Sequence, residues 1–231
     1  MSGRVPKVSA AKEPSHLAET NQGSCHSRRN ILPVQILHPF QGSVQQYLEQ
    51  LADANRYRPS HCPQCQNKHR LRAHGFYSRT IVDSTFDGVI RVRRYLCQSC
   101  LRTVSLLPEF ALPYLRSSIT IIALFLVARL LQAKSLQAAL PPSAPYQRDQ
   151  VWLRRFRARV EALCVALAGL TATPTPAPNF VQRSLTMLQA SGWIPAHRFL
   201  LADLREHLLG WPPSLVPDGR RAVLEPAFPS G

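Results

Sequence analysis

Cys62-Pro63-Gln64-Cys65 and Cys97-Gln98-Ser99-Cys100 are two C-x2-C pairs, and how they are read decides the fold. Each pair sets two thiols on one tight turn, and two such turns supply the four sulfurs of a tetrahedral structural zinc site. About thirty residues separate the pairs, more than the common interval for such sites. That interval reads as a β-ribbon. The runs HRLRAHGFYSRTIV, from His69 to Val82, and VIRVRRYL, from Val89 to Leu96, are rich in β-branched and aromatic residues, with Asp87-Gly88 as a turn signal between them. Such a hairpin returns the second cysteine turn to the side of the first, which is the geometry of a zinc ribbon.

Other uses of four cysteines fit less well. The N-terminus, MSGRVPKVSAAKEPSH, has no apolar signal-peptide core. The expected compartment is therefore a reducing cytosol, where structural disulfides are disfavoured. A redox dithiol is usually a single motif beside a βαβ pattern, which is lacking here. The expected cofactor is one structural zinc ion, with iron or another thiolate-bound metal as the alternative. Cys25, in a polar tail, and Cys164, in an apolar helical stretch, have no nearby partner, and Cys164 reads as a buried thiol. His61, His69 and His74 stand near the pairs, but with four thiolates available they read as surface or phosphate-facing residues.

The 231 residues allow one or two small domains, and a formal net charge of +15 implies a polyanionic partner, nucleic acid before an anionic membrane. The 20 prolines point to modules joined by linkers. Residues 1–29 are polar and read as a disordered tail. Residues 30–60 read as a strand with Ile31, Leu32, Val34, Ile36 and Leu37, then a helix from Gly42 to Ala54 with Val44, Tyr47, Leu48 and Leu51 on one face. This segment is expected to cover the ribbon, residues 61–115, which has little core of its own. On the ribbon strands Arg70, Arg72, Arg79, Arg91, Arg93 and Arg94 alternate with Val and Tyr, while Asp83 and Asp87 sit at the turn. One cationic face results, suited to phosphate contacts.

Residues 116–170 read as helices. Ser118 caps the first, with Ile119, Ile122, Ala123, Leu126 and Leu130 on its buried face. Its apolar run of about ten residues is half the roughly twenty that span a bilayer, so no membrane partner is expected. Ser135 caps a short second helix, SLQAAL, ended by Pro141-Pro142. A third helix is expected from Tyr146 to Ala168, ended by Gly169. Trp152, Phe156, Val160, Leu163 and Leu167 share one of its faces, and Arg148, Arg154, Arg155, Arg157 and Arg159 occupy the remainder. A short helix, a turn and a longer basic helix follow the order of a helix-turn-helix, whose last helix enters a DNA major groove. A plain helical hairpin with solvated arginines is the alternative. TATPTPAP, within residues 171–179, is a semi-rigid linker. Residues 180–231 carry two more helices, Phe180 to Ala190 and Ala196 to Leu209, separated by Gly192-Trp193-Ile194-Pro195, and a loose tail. The second has an apolar stripe of Leu200, Leu201, Leu204, Leu208 and Trp211 that is expected to dock on the helical domain, with binding of a partner or a second copy as the alternative.

The succession C-P-x-C, HGFYSR and RVRRYLCQSCLRTVSLLPEF, then SLQAAL and VWLRRF, resembles the N-terminal zinc-ribbon and helix-turn-helix region of bacterial insertion-sequence transposases, in particular a bacterial family of transposase-associated zinc-ribbon proteins. The resemblance covers about residues 60 to 160, and R-Y-x-C-x-x-C-x-R-T is its most specific part. It implies recognition of duplex DNA such as transposon ends, with Cys62, Cys65, Cys97 and Cys100 as metal ligands. A homodimer or a transposition partner, and a place on the nucleoid in the bacterial cytoplasm, go with it. Gln66 and Leu101 depart from the pattern, standing where ribbon turns often carry glycine.

Transposases hold two divalent metals with an acidic triad on an RNase H-like domain, which requires several convergent carboxylates. From Glu161 onward the acids are Glu161, Asp203, Glu206, Asp218 and Glu225, and Asp203 and Glu206, one helical turn apart, read as a solvated helix face. Catalysis is not expected. The expected whole is an α+β, zinc-stabilised DNA-binding protein. The alternatives are an RNA-binding module that stacks bases on Phe76, Tyr77 and Tyr95, and a protein-interaction scaffold.

Overall fold

The computed structural model describes residues 34–40, 42–51, 57–139, 146–171 and 178–211. The expected tail over 1–29, Cys25, most of the 171–179 linker and the chain after Trp211 lie outside the described residues. Among those described, four strands and seven helices make a mixed α+β fold.

The hairpin is the longest feature. β2 (Leu71–Val82) and β3 (Asp87–Cys97) pair antiparallel from Leu71↔Cys97 to Val82↔Asp87, so the closing turn is 83–86 and not Asp87-Gly88. Gly88 is there for another reason. A Cβ on it would meet the Phe86 ring at 3.0 Å, and Phe86 packs onto the cluster that holds Ile81 and Ile90. The register shifts between Ala73 and Phe76, where Gly75 takes a φ of 78°, a left-handed conformation that glycine adopts without a Cβ clash.

β4 (Thr103–Pro108) was not expected as a strand. It pairs antiparallel with β3 and parallel with β1 (Val34–His38), giving the sheet order β1-β4-β3-β2. Lying inside the sheet and covered on both faces, it is buried from Val104 to Pro108, which accounts for the unbroken apolar run Leu106-Leu107. α1 (Val44–Gln50) is shorter than the expected helix. Its start is a capping box: Ser43 Oγ accepts from the Gln46 N–H at 3.2 Å, and Gln46 Oε1 accepts from the Ser43 N–H at 2.9 Å. Val44 and Tyr47 pack with Phe40, Ile90, Val92, Leu107 and Phe110, and the Tyr47 hydroxyl donates to Arg91 O at 3.0 Å.

A second core belongs to the helices. α2 (Ile119–Leu130) runs through it, with Ile119, Ile122, Phe125 and Leu126 fully buried. Ser118 caps it as expected: its Oγ accepts from the Ile121 N–H at 3.2 Å and donates to Asp83 Oδ1 at 2.5 Å. α3 (Leu136–Ala139) follows, with Ser135 Oγ accepting from the Ala138 N–H at 3.2 Å. The expected single helix from Tyr146 to Ala168 is two, α4 (Tyr146–Arg157) and α5 (Val160–Leu167), parted at Arg159, whose guanidinium pairs with Glu206. Trp152, Phe156, Leu163 and Leu167 are nevertheless all buried in one cluster. α6 (Phe180–Ser191) and α7 (Trp193–Ala202) close the core. Trp193-Ile194-Pro195 is the first turn of α7, where proline leaves no helical hydrogen bond unmade, and not a spacer. Because α7 ends at Ala202, Asp203 and Glu206 share no helix face, and Glu206 is the ion-pair partner of Arg159. Glu109, 1% exposed at the end of β4, takes two hydrogen bonds from Arg198 of α7, at 2.6 and 2.7 Å.

Candidate metal centre and basic surface

The two cysteine turns are built alike. In the first, the Gln66 N–H donates to Cys62 O at 2.8 Å and the Cys62 N–H to Asn67 O at 3.0 Å. In the second, the Leu101 N–H donates to Cys97 O and the Cys97 N–H to Arg102 O, both at 2.9 Å. Each turn requires its fifth residue to be left-handed, with φ 61° at Gln66 and 55° at Leu101. These are the positions where glycine is missing, so both turns are closed at the cost of backbone strain. The hairpin brings them together, and the Gln98 N–H donates to Arg70 O at 2.9 Å between them.

All four sulfurs fall within 4.8 Å of one another, a group that can hold a metal ion. Cys62 Sγ is 3.8 Å from Cys100 Sγ, and Cys65 Sγ is 3.6 Å from Cys97 Sγ, so none is joined in a disulfide. Cys62 and Cys97 are buried beside Leu71, Tyr95, Val104 and Leu106, while Cys65 and Cys100 are half-buried. The Cys100 N–H, helped by that of Ser99, holds the Cys97 thiol down to about 6 against its burial. Burial pushes Cys100 up to about 12, and the neighbouring thiols add to it. The Cys97 sulfur is thus held toward the thiolate, the form that ligates metals. His61, His69 and His74 are exposed, as expected of surface residues.

The basic residues separate into groups. Arg70, Arg72 and Arg91 are exposed, and Arg94 is half-buried. Arg91 and Arg93 lie against the Phe76 ring, 4.2 and 3.9 Å from its centre, and Arg93 Nη2 donates to Leu51 O at 3.3 Å. Arg79 is turned inward, donating to Leu112 O at 3.0 Å and to Leu115 O. On α4, Arg154 and Arg157 are exposed and Arg155 is half-buried; Arg148 lies on the same helix, with its side chain outside the described residues. Of the three aromatics expected to stack bases, Tyr95 is buried under the cysteine turns and Phe76 carries two guanidinium groups, leaving Tyr77 half-buried. Cys164 is buried, as expected, and its thiol donates to Phe180 O at 3.6 Å. The reading from sequence passed over Tyr114 and Arg116, both exposed; the only local signal for them is an aromatic and a cation in LPYLRSS.

No helix among the described residues is long and apolar enough to cross a membrane. Residues 62–141, from the first cysteine of the first pair to beyond α3, match a family described as a domain of unknown function (DUF6431). No curated protein and no solved structure matches the chain.

Proposed function

We propose that Cys62, Cys65, Cys97 and Cys100 hold one structural zinc ion, that the hairpin and its two cysteine turns form a zinc ribbon, and that the chain is a transposase-related protein that recognises duplex DNA without cutting it. Four thiolates placed tetrahedrally at about 2.3 Å from zinc lie about 3.8 Å from one another. The sulfur separations of 3.6 and 3.8 Å fit that tetrahedron. The ion, when bound, cross-links the two turns and neutralises thiolates that would otherwise repel.

The observation that carries the DNA reading is the division of α4. Trp152 and Phe156 are buried and anchor the helix in the core, whereas Arg154 and Arg157 are exposed from the same helix. With α3 before it, α4 takes the part of the recognition helix in a helix-turn-helix. Arg154, Arg155 and Arg157 address base edges, while Arg70, Arg72, Arg91 and Arg94 of the ribbon contact phosphates. A homodimer or a transposition partner, and residence on the nucleoid, follow from the same reading.

The test is selection of a random duplex library on the zinc-loaded protein at near-physiological salt, followed by sequencing. An enriched motif is expected, and a palindromic motif would indicate a dimer. Retention of no duplex would overturn the reading in favour of a protein-interaction scaffold.

A further inference from the structure

The sheet carries a groove of about 390 Å3 on which the proposed duplex interface makes no demand. From Gln35, which lines the groove, a polar row continues across β4 and β3 on one face, Gln35 pairing with Ser105 and Ser105 with Arg94. Two residues along, the same face is apolar, where Leu37 pairs with Leu107 in the cluster under Val44 and Tyr47. Gln35, Tyr77 and Arg79 line the groove from the sheet, and Tyr114 and Arg116 form its far wall. That wall is tied to the end of β2: the Val82 N–H donates to Arg116 O at 2.7 Å and the Ser118 N–H to Val82 O at 2.8 Å.

Two features of the groove call for a ligand. Arg79 is buried deeply enough that desolvation lowers its pKa, yet its guanidinium is held by neutral groups, the carbonyls of Leu112 and Leu115 and the Tyr77 side chain. These neutral partners leave its charge uncompensated, and among the described residues no carboxylate lines the groove, so an anion is favoured there. Arg116 adds a second, exposed cation at the mouth. Tyr114 lines the groove, is 39% exposed, holds a strained φ of 62° and meets Trp211 edge-on at 6.0 Å.

We propose that this groove binds single-stranded nucleic acid, with a phosphate between Arg79 and Arg116 and a base stacked on Tyr114. Cations that follow a backbone beside an aromatic platform are how unpaired strands are held, whereas in a duplex the faces of the bases are already stacked on each other. The volume lies within the range of about 300 to 1,000 Å3 common to small-ligand pockets, enough for a nucleotide and not for a duplex. The class of ligand rests on the nucleic-acid reading above; the unpaired state of the strand rests on the groove.

The test measures fluorescence anisotropy of a labelled oligothymidylate, and of a duplex of equal length, against the full zinc-loaded chain. Tyr114→Ala is expected to weaken single-strand binding about tenfold, the loss of one stacked base. Arg116→Ala is expected to flatten the slope of log K against log salt by about 0.7, one phosphate contact on a single strand. Both should leave duplex binding unchanged, and Tyr114→Phe, which keeps the ring, should keep single-strand affinity. Alanine at Arg154, Arg155 and Arg157 together should do the reverse, weakening the duplex and sparing the single strand. Failure of the wild-type chain to bind the single strand would overturn the proposal, as would Tyr114→Ala and Arg116→Ala both binding it as the wild type does. The duplex arm judges the other reading separately.

Discussion

Leu101 shows what the cysteine turns cost. It holds a left-handed backbone at φ 55° while its side chain is 74% exposed, so it pays strain for almost no packing. Leu101→Gly should therefore raise stability by about 0.5 to 1 kcal/mol, read as a higher urea midpoint at unchanged slope. A lower midpoint would mean that the leucine makes a contact that outweighs the strain. Gln66 is the poorer site for the same change, since its Nε2 also donates to Pro63 O at 3.2 Å. His207 is a second residue with a measurable signature. It is buried, with Nε2 facing Pro113 O at 3.0 Å and Nδ1 accepting from the Leu209 N–H at 3.1 Å, so its neutral form is fixed with the proton on Nε2. Burial, with Arg155 and Arg159 nearby, lowers its pKa from 6.5 to about 4. The unfolded chain then binds the proton more readily than the folded one. Stability is fully present above pH 6.5 and is lost as the pH falls from there toward about 4. Between pH 7 and pH 5 this residue alone should remove about 2 kcal/mol, and His197, whose burial lowers it to about 3, adds to the same trend. Unfolding midpoints that are flat over that interval would show that the imidazoles are not sealed from water.

At the scale of elements, Ser118 joins two parts of the fold in a single hydroxyl. It is fully buried, caps α2 through the Ile121 N–H and donates to Asp83 in the hairpin turn. Ser118→Ala should cost about 2 to 3 kcal/mol, since it removes a cap and leaves a carboxylate oxygen without its donor. A loss below about 0.5 kcal/mol, the level of an ordinary surface change, would show that neither bond matters. The same element explains what is legible in the sequence. The Ser118 cap, the apolar spacing of α2 and the two hairpin strands are written in short-range chemistry, and so are the cysteine pairs. β4 is not, because its parallel partner β1 is far away in sequence, Val34 meeting Val104, and no local signal encodes such pairing. The hairpin turn escapes for a related reason: Asp87-Gly88 has turn chemistry, but its glycine answers the packing of Phe86. Of the candidate site, the four cysteines are legible from spacing alone. The inward turn of Arg79 is not, since the carbonyls that draw it in belong to Leu112 and Leu115, and alternation along β2 cannot foresee them.

Among the described residues the core is divided into three clusters, of which the one around Leu71, Tyr95, Val104 and Leu106 includes cysteines of the two turns. The helical cluster contains none of these residues. Removing the proposed zinc with a strong chelator should therefore open the hairpin base while the helices persist. Proteolysis should cut first between residues 57 and 70, with little loss of far-ultraviolet helical signal. Cys62→Ser should reproduce that pattern and lose the bound zinc. Collapse of all helical signal on chelation would show one cooperative unit, and unchanged zinc content in Cys62→Ser would remove the metal assignment.

The pairing of Glu109 with Arg198 also sets an order of events during synthesis. The two residues are separated by 89 positions, and the carboxylate is 1% exposed once the fold is complete. A ribosome adding about 5 to 20 residues per second needs on the order of ten seconds to deliver the arginine after the glutamate. Throughout that delay the nascent sheet has an acid at the end of β4 with its future counter-charge not yet made, and an ionised carboxylate stays in water until one arrives. The ribbon and its thiols can thus be in place while this flank is still wet, and the arrival of α7 is the step that seals it.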